Sequence, residues 1–401
     1  MGRIKEQMSL ALDFMPRHRF EMRRRRTLNL DMLLEDARAI EKIDAGTLDL
    51  VLMGYRSYWL FQIHLKTFLK KPLDPVGVED LLLLGFAALL TRTQIPAPVL
   101  VSECVEAAEK VYGPHMKGFC NAFLRQVLRD QQKIVDQIEK DPLILLGPEI
   151  PKHLSPQDAL KIARLLLKRP PSGIHAFHMN GTFEFMSTAD FFQKKNEVQA
   201  MDPGSFALCE WMAAQIETFW PNKTELRILD ACAAPGGKLI VLDTLLVKKN
   251  IKVKWTAVDT KQARIDVLKS NIKRLKIEDH VEVLLDDWAK PLDAQSFDVV
   301  LMDLPCTGTG TFHTRPDLLL EDIDGRALEL KAVQRQIVES VLATHSTGRS
   351  IAFVSLCSVM KTEIQHISYL LKKNTIDFHS WDNGADTSEG LCAWSLKKEI
   401  S

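Results

Sequence analysis

No CxxC pair occurs among the seven cysteines, and their odd number and scatter along 401 residues exclude both a zinc ribbon and a disulfide scaffold. No apolar run reaches the ~18 residues that a membrane span requires. The longest covers residues 81–90. The charged N-terminus (MGRIKEQMSL) shows no secretory signal. A global field of one sign is also missing: 52 Lys and Arg balance 52 Asp and Glu, so composition alone demands no nucleic-acid partner. The rest is ordinary, with 46% hydrophobic and 26% charged residues, which excludes a mostly disordered chain. At ~100–200 residues per domain, two or three domains are expected. The expectation is a reduced, cytoplasmic, monomeric protein of several domains, with neither a membrane segment nor a metal site.

Charge is nevertheless uneven. Residues 1–30 hold eight Lys and Arg against three acids, including the run Arg23–Arg26. Such a run reads either as a solvated helix face or as an arm contacting phosphates, and charge alone leaves both open.

From about residue 10 to 165 apolar residues recur at three- and four-residue spacings, in 28–43, 48–69, 78–90, 98–111 and 116–135. Pro72, Pro75, Pro96, Pro98, Pro114 and Pro142 punctuate these stretches where helices start or stop. Local contacts of this kind imply a helix bundle. Residues 150–205 carry a weaker pattern, broken by Pro170, Pro171 and Gly173, before a helix over 206–219.

After Pro221 the texture changes. Short β-branched and apolar runs at 226–232, 253–259, 281–286, 297–303 and 350–356, with two more near 376–381 and 390–396, read as strands. Helical stretches at 238–246, 261–275 and 329–344 lie between them. Such alternation implies a mostly parallel sheet covered on both faces, and ligands of such sheets sit at the carboxyl ends of the strands.

Those ends carry the chemistry. The first strand runs through Asp230 into Cys232, Ala233, Ala234, Pro235, Gly236, Gly237 and Lys238, small residues that let the backbone turn tightly and approach a ligand. Asp259 ends the second strand 23 residues after Gly236, the distance at which an acid commonly binds ribose hydroxyls. Asp286 ends the third strand and Asp303 the fourth. Acids are rarely buried without partners, so four at consecutive strand ends beside a glycine loop point to a nucleoside cofactor. The loop is not GxGxxG, which argues against a nicotinamide.

The segment AAPGGK resembles the first motif of the S-adenosylmethionine-dependent RNA cytosine methyltransferases of the RsmB/Nop2/Sun family. Two further segments carry the resemblance: Asp303-Leu-Pro-Cys-Thr-Gly-Thr-Gly310 with Arg315-Pro-Asp317, similar to DxPCSGxG…RxPD, and Leu356-Cys357 through Glu363, similar to TCS…E. In the helical half, Ile95–Pro98, Glu103–Ala108 and Lys117–Arg125 resemble the NusB-like domain that precedes the methyltransferase in bacterial RsmB proteins, so the likeness covers nearly the whole chain.

The resemblance implies a Rossmann-like class I methyltransferase domain with a seven-stranded, mostly parallel sheet, preceded by an all-α NusB-like bundle. The implied domains are 1–149 (RNA-binding bundle), 150–205 (a shortened RNA-binding linker) and 206–401 (methyltransferase). It implies S-adenosylmethionine as cofactor, held by the backbone of Cys232–Lys238, by Asp259 at the ribose, by Asp286 near the adenine and by Asp303. It makes Cys357 the nucleophile on cytosine C6, Cys306 the residue aiding release, and Asp303 the holder of N3 and the exocyclic amine. The substrate would be a cytosine in small-subunit ribosomal RNA.

Departures are visible as well. The segment between the halves is short, Leu356 and Ile364 stand where the family has Thr and Asn, and His313 and Thr314 replace paired arginines. Two rival functions follow: a transfer-RNA cytosine methyltransferase, and a non-catalytic RNA-binding assembly factor. A DNA cytosine methyltransferase would use the Pro-Cys cysteine as nucleophile and needs a target-recognition domain for which the chain has no room. The NusB-like resemblance gives Arg17, Arg19 and Arg23–Arg26 a role as phosphate contacts. Replacing Arg23–Arg26 should then weaken RNA binding and flatten its salt dependence; a titration unchanged across salt would dismiss the role.

Overall fold

The computed structural model describes residues 5–12, 15, 45–69, 77–168, 173–289, 297–344, 349–372, 375–381 and 390–398. The basic run Arg23–Arg26, with Arg17 and Arg19, and the helix expected over 28–43 lie outside these residues. No described helix is long and apolar enough to cross a membrane. The chain forms two compact units: residues up to 169 with 312–322, and residues 170–311 with 323–401.

The first unit is helical. Helices α1 (Ala45–Phe68), α2 (Val78–Thr91), α3 (Ala97–Tyr112) and α4 (Met116–Lys140) form the bundle, followed by the short α5 (Ile150–His153) and α6 (Pro156–Leu166). The sequence of α2, VEDLLLLGFAALLT, is apolar on nearly every side and is buried from Val78 to Leu89 except at Glu79. A helix apolar all round belongs at the centre of a bundle, and α2 packs against α1, α3 and α4. Edge-to-face aromatic pairs Phe61–Phe86, at 5.8 Å, and Phe68–Phe123, at 5.3 Å, fill the space between them. Pro96 and Pro98 start α3, as the fixed proline φ favours.

Residues 312–322 pack with this helical unit although they follow the fourth strand of the sheet domain in sequence. Their short 3₁₀ turn, Pro316–Leu320, lies on α1, where Trp59 Nε1 donates to Leu319 O at 3.1 Å and Arg56 Nη2 to His313 O at 2.5 Å. Arg315 grips the fully buried Asp317 through two hydrogen bonds, of 3.0 and 2.7 Å. The RPD motif is therefore a self-paired structural turn here.

The second unit begins with a small antiparallel sheet, β1 (Ile174–His178), β2 (Phe183–Met186) and β3 (Val198–Ala200), ordered β2-β1-β3, with α7 (Thr188–Gln193) in the connection. It is fastened by Phe183 stacked on Phe206 (4.3 Å) and by Arg274 donating to Val198 O (2.8 Å). Helix α8 (Pro203–Phe219) follows, capped by Asp202, whose carboxylate accepts from Gly204 N–H at 2.7 Å.

The main sheet contains β4 (Glu225–Asp230), β5 (Lys252–Asp259), β6 (Val281–Leu285), β7 (Val299–Asp303), β8 (Ser350–Leu356), β9 (Thr375–Trp381) and β10 (Leu391–Lys398). Its order is β6-β5-β4-β7-β8-β10-β9, and β10 alone runs antiparallel to its neighbours. The helices α9 (Gly237–Lys248), α10 (Gln262–Arg274), α11 (Ile323–Thr344) and α12 (Lys361–Leu371) complete the alternation. Strand residues alternate in direction, so Ile228, Val299, Leu301 and Phe353 share a core with α8, α9 and α10. Leu229, Val300, Met302 and Val354 share a second core with α11 and α12. Both faces are covered, which is why these strands read as continuous apolar runs. This is the Rossmann-like methyltransferase architecture expected from the sequence.

Trp288 ties one strand end to another. Fully buried, it donates from Nε1 to Ala231 O at 2.9 Å, and its own carbonyl accepts from Ser340 Oγ of α11 at 2.8 Å. Trp288→Phe should destabilise the chain by ~1–3 kcal/mol by leaving a buried carbonyl unpaired, read as a lower denaturant midpoint. An unchanged midpoint would show that the bond contributes nothing.

Candidate active site at the strand ends

The sheet order reverses at β4, which has β5 on one side and β7 on the other, and ligands of open parallel sheets bind outside such a point. The candidate residues gather there. The loop after β4 is held from β5 and α10: Ala233 N–H donates to Val258 O at 2.9 Å, and Ala234 N–H to the Asp259 carboxylate at 3.2 Å. Arg264 pairs with Asp259 at 3.1 Å and also donates to Ala234 O, while Asn271 donates to Pro235 O at 3.0 Å. Gly236 caps α9 with φ +103°, a left-handed conformation that disfavours side chains, and a Cβ there would crowd Leu268. The loop thus enters α9 with the first-turn N–H groups lacking helical acceptors, an arrangement suited to polar or anionic ligand groups.

Asp259 spends both oxygens on the protein, since its second accepts from Thr260 N–H at 2.8 Å. A carboxylate has about four lone-pair sites, so capacity for a ribose hydroxyl remains. Asp286 lies one residue beyond β6, its N–H bonded to Asp259 O at 3.1 Å and its carboxylate to Trp288 N–H at 2.7 Å. Cys232 is part-buried within the loop, and burial raises its thiol well above the usual range. The small loop residues, the helix start and the two acids at neighbouring strand ends fit an adenosine-bearing cofactor in donor chemistry.

Across the switch point, Lys238 Nζ lies 2.6 Å from Asp303 Oδ2. Burial alone would lower the lysine, but the charge and hydrogen bond of Asp303 outweigh it and hold the ammonium above its usual range. The other oxygen of Asp303 accepts from Ser355 Oγ of β8 at 2.6 Å. Asp303 is thus fixed in rotation by partners on two elements.

The two thiols meet directly. Cys306 Sγ and Cys357 Sγ are 2.9 Å apart, on the turns that follow adjacent parallel strands β7 and β8. The turns are stitched together by Leu304 N–H to Ser355 O at 3.0 Å and Gly310 N–H to Cys357 O at 3.1 Å. Gly310 can be no larger, because a Cβ there would overlap the carbonyl of Gly390. The Cys306 thiol is pushed well up, first by its hydrogen bond with Cys357 and then by burial. Cys104 and Cys120 are buried in the helical bundle, Cys209 in α8 with its sulfur 3.8 Å from Lys238 O, and Cys392 in β10, and desolvation raises each.

Several participants were not singled out from the sequence. Ser355 and Gln334 carry no local signature, because their partners lie 52 and 29 residues away, and Arg264, which pairs with nearby Asp259, reaches Ala234 O 30 residues back. The departures Leu356 and Ile364 face the apolar core beside α11 and α12, and His313 is buried in the helical unit.

The fold and this constellation define a class I methyltransferase. Residues 217–389 match the 16S rRNA methyltransferase RsmB/F family, and residues 16–129 match the NusB family. Over these two segments the chain resembles the RsmB/F methyltransferases and the NusB family. It is similar to ribosomal RNA small subunit methyltransferase B of Xanthomonas campestris, 27% identical over 81% of this chain and 78% of that protein. The protein of that name from Enterobacter sp. is 28% identical over 74% of each chain. The crystal structure of PH0851 shares the fold, with a TM-score of 0.64 at 18% identity, over 98% of this chain and 97% of that one.

The most perturbed acid of the site is Asp230, the last residue of β4. Burial pushes it up to about 7, against a hydrogen bond from Cys232 N–H that lowers it. The folded chain therefore holds this proton more tightly than the unfolded chain. Its contribution to stability is fully present below 3.8 and is lost as the pH rises through about 7. Asp230→Asn, which keeps the acceptor for Cys232 N–H, should raise the Tm at pH 8, and the gain should shrink at pH 5. Equal gains at both pH values would refute the buried-acid explanation.

Proposed function

We propose that this protein transfers a methyl group from S-adenosylmethionine to C5 of a cytosine in small-subunit ribosomal RNA, in the cytoplasm. The observation that carries the reading is the Cys306–Cys357 pair, 2.9 Å apart, beside the Lys238–Asp303 pair at the switch point of the sheet. The cofactor supplies an electrophilic methyl on a sulfonium sulfur. Its nucleoside end is held by Cys232, Ala233, Ala234, Pro235, Gly236, Gly237 and Lys238, with Asp259 at the ribose, Asp286 near the adenine and Asp303 toward the transferring end.

Cytosine C5 is a weak carbon nucleophile, and covalent catalysis answers this. The Cys357 sulfur forms a bond to C6, so electron density passes to C5. C5 then bonds to the methyl carbon as the methyl–sulfonium bond breaks. A water molecule takes the C5 proton as the C5–C6 double bond re-forms and the bond to the Cys357 sulfur breaks. Asp303 presents its carboxylate to N3 and the exocyclic amine, and Lys238 and Ser355 keep it aimed. Cys306, whose thiol lies 2.9 Å from the Cys357 sulfur, assists release.

The bundle over residues 1–149 and the segment 150–205 dock the RNA, and residues 206–401 perform the chemistry. The paired thiols favour this reading over a non-catalytic assembly factor, which would need neither.

The two cysteines separate the alternatives. Cys357→Ala should abolish methyl transfer, with a loss of at least ~10³-fold, as expected when a nucleophile is removed. Cys306→Ala should leave the first methyl transfer intact and accumulate a protein–RNA adduct that survives denaturing electrophoresis. The reverse pattern would make Cys306 the nucleophile. No methyl transfer by the parent protein on any RNA would favour the assembly factor.

A further inference from the structure

A buried carboxyl group clamps the turn that presents Cys306. Glu363, in the first turn of α12, is fully buried. Its Oε1 accepts from Thr307 N–H at 3.0 Å and from Gln334 Nε2 at 3.1 Å. Its Oε2 accepts from the Thr307 hydroxyl at 2.6 Å. Gln334, on α11 and also fully buried, uses the same amide group to donate to Pro305 O at 2.9 Å. The residue before Cys306 and the residue after it are therefore each held by this pair.

The clamp reaches the other turn as well. Ser358 Oγ, next to Cys357, lies 3.2 Å from Thr307 Oγ1 and 3.0 Å from Thr309 Oγ1. Thr309 Oγ1 in turn accepts from Val359 N–H at 3.1 Å. The cluster thus joins both turns, but Glu363 and Gln334 bond directly only to the Cys306 turn, while the Cys357 turn keeps its own bonds to Thr309 and Gly310.

Among the described residues no cation pairs with Glu363, and its partners are neutral donors only. Removing a carboxyl group from water without a counter-charge is costly, and an apolar side chain would fill the same space between α11 and α12 at less cost. What the carboxyl group adds is direction: two acceptor oxygens that fix one backbone amide, one hydroxyl and one side-chain amide at once. Both carboxyl oxygens are satisfied, and such bonds rigidify what they hold, while Gln334 Oε1 finds no partner among the described residues.

We infer that Glu363, acting with Gln334, is a positioning residue for the release step, because it keeps the Pro305–Thr307 turn in the one orientation that faces Cys306 toward Cys357. The inference rests on the assignment of Cys306 to release. Neither residue touches the reacting atoms. Their loss lets the Cys306 thiol swing out of register while Cys357, on the turn after β8, still attacks.

The test is adduct trapping on 16S ribosomal RNA transcribed in vitro, with S-adenosylmethionine present and Cys306→Ala as the reference. Glu363→Ala should keep the first methyl transfer within about threefold, lower multiple turnover by about tenfold or more, and accumulate the denaturation-resistant adduct toward the reference level. Gln334→Ala should show the same split, and it decides the matter if Glu363→Ala does not fold. Glu363→Gln, whose amide oxygen still accepts from Thr307 N–H, should restore turnover and clear the adduct. A merely structural role would lower first transfer and turnover together in all three variants without adduct, and that result would overturn the inference. Parent-like turnover in both alanine variants would overturn it too. Absence of adduct in Cys306→Ala itself would instead sink the assignment of Cys306, and this inference with it.

Discussion

The parallel pairing of β7 with β8 is the constraint on which the site depends. Asp303 stands opposite Ser355 in that register, and the hydroxyl of one binds the carboxylate of the other. A slip of one residue would turn every side chain of either strand to the opposite core. The apolar residues of both strands forbid that slip, since both faces are buried. With the register locked by hydrophobic burial, the turns beyond the strands emerge side by side. Their cysteines can then meet at 2.9 Å without any local sequence relation between them.

Electrostatics at the strand ends follow from the same layout. Asp230, Asp259 and Asp303 end three neighbouring strands, and Lys238 and Arg264 are the cations that pair with the last two. Among the described residues Asp230 has no such partner, and burial raises it instead, so it adds less negative charge to the cluster than its composition suggests. Lys238 links the loop after β4 to Asp303 at the end of β7.

Much of this architecture was legible in the sequence, for physical reasons. The parallel strands are buried on both faces and so appear as runs such as Val299–Met302, and the loop from Cys232 to Lys238 is small because backbone must come close to a ligand. The strand pattern placed all four acids at strand ends, and the family motifs marked both thiols on the turns beyond the fourth and fifth strands. Three features escaped. Helix α12 was not separated from the motif that opens it, since residues 357–363 read as a turn with chemistry rather than a helix start. The three-stranded sheet over 174–200 has strands of three to five residues, too short for a period of two to stand out. The association of residues 312–322 with the helical unit rests on Arg56 and Trp59 bonding to carbonyls more than 250 residues away, which no local pattern encodes. Separations of 29 and 56 residues hid Gln334 and gave Glu363 a motif position without a role.

The central claim is that this chain makes 5-methylcytosine in small-subunit ribosomal RNA. Bisulfite sequencing of total RNA from cells with and without its gene tests that claim most directly. One cytosine in 16S ribosomal RNA should lose its protection when the gene is removed, and regain it with the parent gene but not with Cys357→Ala. A pattern of protected cytosines identical in both strains would contradict the account.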